Sequence, residues 1–157
     1  MERLIGIDDQ KELKLDGLSI TGIASAHEFL DYDEEKQGYP YMGYFVRIGQ
    51  YTIYHSGDTC LYKGLQDKLE RCGHINFMMI PINGRDAKRY MNNTIGNMTY
   101  QEAVDLAGSI KPDYVIPGHF DMFEKNSEDP FLFLDYLKVK YKTQNALLFT
   151  HGEIISF

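Results

Sequence analysis

With 157 residues, 43% of them hydrophobic and 25% charged, the chain has apolar material for one ordinary core, and residues 1–157 read as a single unit. Its 23 acidic residues outnumber 16 basic ones, and the resulting charge of −7 argues against nucleic acid as a partner. There is no apolar run of the roughly 20 residues that a membrane span needs, which argues against a membrane partner.

Residues 1–4 lack the apolar core of an export signal. Cys60 and Cys72 show no finger or CxxC spacing, so reduced thiols in a cytoplasmic protein are expected. Leu13 and Leu15, the Asp16-Gly17 turn, then Leu18 and Ile20 predict a hairpin running into Ala24-Ser25-Ala26-His27. Residues 28–41 are acidic, polar and aromatic and read as a loop. A second hairpin pairs residues 44–48 with 51–55 through Gly49-Gln50, a pair suited to a type II′ turn, and stops at Ser56-Gly57-Asp58-Thr59.

Leu61, Leu65 and Leu69 repeat at helical spacing. A buried strand is expected over 75–82, breaking into Asn83-Gly84-Arg85-Asp86 and a long polar stretch. Thr99 and Glu102 form a capping box for a helix striped by Ala103, Val104, Ala107 and Ile110. A short strand over 113–117 carries Gly118-His119 at its tip. Asp129-Pro130 opens a helix through Tyr141, and apolar runs at 146–149 and 154–157 close the chain. Hairpins followed by alternating helices and strands predict an α/β fold with helices on one side of a sheet.

Among the five histidines, His27 and His119, together with Asp58, stand at strand ends beside small residues, where a rigid scaffold presents reactive groups. Imidazole and carboxylate suit a divalent metal such as zinc, or manganese where oxygen donors are many. Each has an ordinary reading too: Asp58 as the N-cap of the following helix, His27 and His119 as hydrogen-bonded loop residues. No HxH or HxxxH pair decides between them.

Three segments carry a resemblance. His55-Ser56-Gly57-Asp58-Thr59 resembles the GDT strand-end motif of the metallo-β-lactamase superfamily. Ala24-Ser25-Ala26-His27 followed by Gly43-Tyr44 resembles its preceding histidine segment, and Pro117-Gly118-His119 its last histidine motif. Residues 82–86, 95–99 and 151–153 are similar to the branch that contains L-ascorbate-6-phosphate lactonase. The resemblance implies that His27 binds one metal, His119 a second, and Asp58 both. It also implies hydroxide generated at the metals, attacking a lactone or ester of a small anionic metabolite. Arg85 and Asn83 are expected at the substrate, with His55 and His151 orienting ligands from behind; the ordinary readings are Arg85 as a surface residue paired with Asp86, His55 as a packed strand residue and His151 in a structural role, and His74 reads as a surface residue.

The superfamily's HxHxDH motif, which supplies two ligands to each metal, is absent. The resemblance therefore implies the C-terminal βα half of a metallo-β-lactamase-like αββα sandwich, with truncation the favoured explanation. An incomplete site is expected to be inactive until a complementing N-terminal half is present. Phe77, Met79 or Val115 would then be exposed on an uncovered sheet face, favouring a homo-oligomer or poor solubility. Two alternatives stand beside the lactonase reading: a phosphodiesterase or nuclease of the same superfamily, and a degenerate binding module without catalysis.

Overall fold

Local turn chemistry builds the first part of the sheet. In the computed structural model, β1 (Glu12–Leu15) and β2 (Leu18–Ala24) pair antiparallel, with Leu13 opposite Ile20. β2 pairs with β3 (Met42–Ile48), and β3 with β4 (Tyr51–His55), again antiparallel. Gly49, at φ 57, supplies the positive dihedral that a primed hairpin turn requires at its first position. The model describes residues 5–154 and 156; the segment read for an export signal and part of the closing run at 154–157 lie outside the described residues.

The rest of the sheet is parallel. β5 (Phe77–Pro81) joins β4, β6 (Tyr114–Gly118) joins β5, and the two-residue β7 (Asn145–Ala146) joins β6. Parallel neighbours need crossovers, and these hold the helices: α1 (Leu65–Cys72), α2 (Ala87–Met91), α3 (Tyr100–Ile110) and α4 (Pro130–Lys140). Among the described residues, seven strands form one sheet in the order β1 to β7. No helix among those residues is long and apolar enough to cross a membrane.

Capping holds α3 and α4 where the sequence places them. Thr99 and Glu102 bond reciprocally in a capping box, and Asp129 accepts from Phe131 N at 2.9 Å ahead of Pro130. Two helical features depart from expectation. The polar stretch after Asn83 contains α2, started by Asp86 accepting from Arg89 N at 2.8 Å. α1 starts at Leu65 behind Gly64, so Asp58 is not its N-cap.

Register assigns the faces of the sheet. Phe45, Tyr54, Met78 and Val115 are successive partners across β3 to β6 and pack into the core with Leu69, Val104 and Phe133 from the helices. The next row, Val46, Ile53, Phe77 and Tyr114, faces the other way, as do Tyr44, His55, Met79 and Ile116. Val115, expected on the uncovered face, is instead fully buried on the helix side, because the strand's alternation places Tyr114 and Ile116 opposite to it. Cys60 and Cys72 are free thiols. Burial raises the pKa of both, so neither is a ready nucleophile.

Candidate metal centre

β2 and β4 both run antiparallel to β3, and β5 and β6 run parallel to β4, so all four strands end at one edge of the sheet. His27, Asp58 and His119 follow the ends of β2, β4 and β6 and meet there. Both imidazoles face the same carboxylate oxygen. His119 Nε2 is 3.3 Å from Asp58 Oδ2, and His27 Nε2 is 4.0 Å from it.

Small residues around the motifs make this meeting possible. Ser25 Oγ donates to Ser56 O, Ala26 N to Thr59 Oγ1 at 2.9 Å, and Cys60 N to Ala26 O at 2.8 Å. These bonds stitch the His27 segment onto the Asp58 turn. Gly57 stands at φ 61, and a Cβ on it would lie 2.6 Å from Met42 O, so no other residue fits ahead of Asp58. His55 Nδ1 accepts from Gly57 N at 3.0 Å and braces the same turn. Tyr41 stacks on His27, with ring centroids 4.8 Å apart. His119 itself is left-handed at φ 54, a conformation that costs a non-glycine residue energy and that recurs at functional sites.

Electrostatics couple the same three groups. The hydrogen bond to Asp58 raises the His119 pKa against the opposing effect of burial, and that bond likewise lowers the Asp58 pKa. His119 Nδ1 is buried without a hydrogen-bond partner among the described residues.

The donor set fits divalent metal. Two ligands each about 2.0–2.2 Å from one ion stand roughly 3–3.5 Å apart. The His119–Asp58 separation of 3.3 Å matches that span, and the His27–Asp58 separation of 4.0 Å is slightly wider. Among the described residues, no group of three or more His, Cys, Asp or Glu is placed to hold an ion. Two pairs sharing Asp58 are what these residues provide, and about four donors per ion are normally needed.

A cleft of about 720 Å³ opens over the three residues, walled by Ile95, Phe123 and Asn126 and carrying Lys125. Below it, a hollow of about 200 Å³ is lined by His55, Met79 and Ile116 beside Asp58 and His119.

Two residues expected at the substrate are elsewhere. Arg85 forks onto Glu102, with Nη1 at 2.7 Å and Nη2 at 2.6 Å from its oxygens, and does not line the cleft. Asn83 is fully buried, donating to Asn126 Oδ1 at 2.9 Å and accepting from Asn97 Nδ2 at 3.1 Å. Glu102 of α3 holds the half-buried Arg85 side chain, while Asn97 and Asn126 hold Asn83 in the interior. His151 sits in an exposed turn, closed by Thr150 and Glu153, away from the cleft. His74 is on the surface, 3.0 Å from Asp113 Oδ1. Lys125 and Asn126, which do line the cleft, carry no signal in the sequence beyond following His119 by a few residues.

A helix-backed sheet that gathers two imidazoles and a carboxylate at its strand ends defines an α/β class of protein with donors of the kind that suit a divalent metal. The chain belongs to the metallo-β-lactamase superfamily: the model of the beta-lactamase superfamily domain matches residues 1–120. It is 32% identical over 117 residues to a UPF0173 metal-dependent hydrolase of Pyrococcus horikoshii, covering 74% of this chain and 47% of that relative. To a UPF0173 metal-dependent hydrolase of Desulfitobacterium hafniense it is 30% identical over 111 residues, or 71% of this chain and 42% of the relative. The chain thus spans about half the length of the curated relatives it matches. Its fold is similar to that of Igni18, a metallo hydrolase from Ignicoccus hospitalis, with a TM-score of 0.75 at 23% identity over 98% of this chain and 60% of the other. An isothiocyanate hydrolase from Delia radicum gut bacteria gives 0.70 at 15% identity, covering 93% and 57%.

Proposed function

We propose that this chain contributes the His27, Asp58 and His119 side of a metal-dependent hydrolase site acting on a lactone or ester of a small anionic substrate. One observation carries the reading: both imidazoles converge on Asp58 Oδ2 at the floor of the cleft. His27 and Asp58 would hold one ion, and His119 and Asp58 a second, either zinc or manganese. When bound, such ions supply Lewis acidity and a nucleophile at neutral pH.

The chain's own residues do the rest. Tyr41 fixes the plane of the His27 ring, and His55 fixes the turn that presents Asp58. Ile95, Met122 and Phe123 give the cleft an apolar rim that limits water, while Lys125 offers a cation to an anionic group of the substrate. The open sheet face, with Tyr44, Ile48 and Tyr51 exposed, is the surface on which a complementing half would dock, bringing further metal donors.

Elemental analysis tests this reading on the chain alone and on the chain completed by an N-terminal half carrying an HxHxDH segment. The completed form is expected to hold about two ions per molecule, to hydrolyse aryl esters or lactones, and to lose both properties in Asp58→Ala. Stoichiometric metal on the chain alone would overturn the shared-site account. Absence of metal from both forms would replace the enzyme with a binding module.

A further inference from the structure

Four buried polar residues behind the cleft wall form one network through their side chains: Asn83, Arg89, Asn97 and Asn126, none more than 8% exposed as a whole residue. Arg89 comes from α2, and the others from the end of β5, the segment before α3 and the turn after β6. A guanidinium can only donate. Arg89 Nε donates to Asn126 Oδ1 at 3.0 Å, Nη2 to Ser127 O at 2.7 Å, and Nη1 to the Asp86 carboxylate.

That cation settles the direction of every amide behind it. Asn126 must turn its oxygen inward, so its Nδ2 points to Ile95 O at 3.5 Å. Asn83 must offer Nδ2 to the same oxygen, at 2.9 Å, which leaves its Oδ1 to accept from Asn97 Nδ2 at 3.1 Å. The series ends on Asn97 Oδ1, buried without a hydrogen-bond partner among the described residues. A network that ends on an unsatisfied acceptor is a poor way to stabilise a core, but it holds positions closely.

What it holds is the wall of the cleft. Ile95, whose carbonyl it takes, and Asn126 both line the cavity over His27, Asp58 and His119. We infer that Arg89 is a positioning residue for substrate selection. Through Asn126 it sets the separation of the 93–95 and 122–126 segments, and with it the width of the cleft. The inference rests on reading that cleft as the substrate site. Direct anion binding by Arg89 does not compete, because its side chain is 9% exposed and Nε, Nη1 and Nη2 are all engaged.

Arg89→Met keeps the apolar stem and removes the donors. On this chain, residue-resolved amide hydrogen exchange is expected to rise about tenfold at 93–97 and 123–127, leaving 26–28 and 57–60 unchanged. In the form completed by the N-terminal half and loaded with metal, the preference between p-nitrophenyl acetate and the bulkier p-nitrophenyl benzoate is expected to shift about fivefold through KM, at unchanged metal content and kcat. Arg89→Lys, which lacks the fork, should not restore it. Exchange that rises equally across α3 and α4 would make Arg89 a plain core contact and overturn the inference, as would no change at the two segments. An unchanged preference with a loosened wall would overturn its role in selection. A wild-type protein inactive on both esters would remove the substrate reading, while the exchange pattern would still decide whether Arg89 holds the wall.

Discussion

The two faces of the sheet carry the same kind of side chain and meet different surroundings. On one, Phe45, Tyr54, Met78 and Val115 lie at 0–1% exposure in a core shared with α1, α3 and α4. On the other, Tyr44, Ile48 and Tyr51 remain 39%, 50% and 41% exposed, beside Val46, Ile53, Phe77 and Met79. A sheet meant to face water on one side alternates apolar with polar; from β3 to β6 both alternants are largely apolar. Side-chain chemistry alone therefore does not tell which face is covered. The crossover helices do, and the face they leave has the composition of an interior.

The difference is open to direct attack. Phe133→Ala, on the helix side, is expected to cost about 3–5 kcal/mol, read as a lower denaturation midpoint at an unchanged slope. Glu102→Gln comes next, at about 1.5–3 kcal/mol, because it removes the charge that Arg85 clamps at the start of α3. Burial pushes the Glu102 carboxyl up, but the bonds from Arg85 and Thr99 outweigh it and hold the pKa below the ordinary 4.5. With the folded value below the unfolded one, the stabilisation is present above about 4.5 and is lost as pH falls through the folded value. Acid titration of stability should show a fall that is shallower in Glu102→Gln.

Ile48→Ala, on the open face, is expected to cost under about 0.5 kcal/mol in this chain. A cost near that of Phe133→Ala would erase the distinction between the faces. His74→Gln removes an exposed pair with Asp113 and should change stability by roughly 0–1 kcal/mol, the lower end at high salt.

What was legible in the sequence was mostly local. Asp16-Gly17 and Gly49-Gln50 mark their hairpins, and Thr99 with Glu102 marks α3, because each signal lies within four residues of what it specifies. α2, with five residues, is too short to show a period, and β7 pairs only two residues of a longer apolar run. That His27, Asp58 and His119 lie together is what the family motifs lead one to expect, whereas spacing alone leaves each with an ordinary alternative. Arg85 is ion-paired, with Glu102 rather than the neighbouring Asp86, for a physical reason. A guanidinium announces charge but not its partner, and Glu102 lies 17 residues away in α3, beyond α2. Arg89 and Asn126 were invisible on the same ground, being 37 residues apart.

The sheet's order has a consequence for how the chain is made. Strands β1 to β7 stand side by side in the order in which a ribosome releases them. Each new strand lands on the edge just completed, and none must be inserted between two already paired. The long-range search that slows many β-rich proteins is thereby reduced to repeated addition at one growing edge. Hairpins close in about 1–10 μs, whereas synthesis proceeds at about 5–20 residues per second, so for the antiparallel part, β1 to β4, translation would set the pace at which the sheet widens.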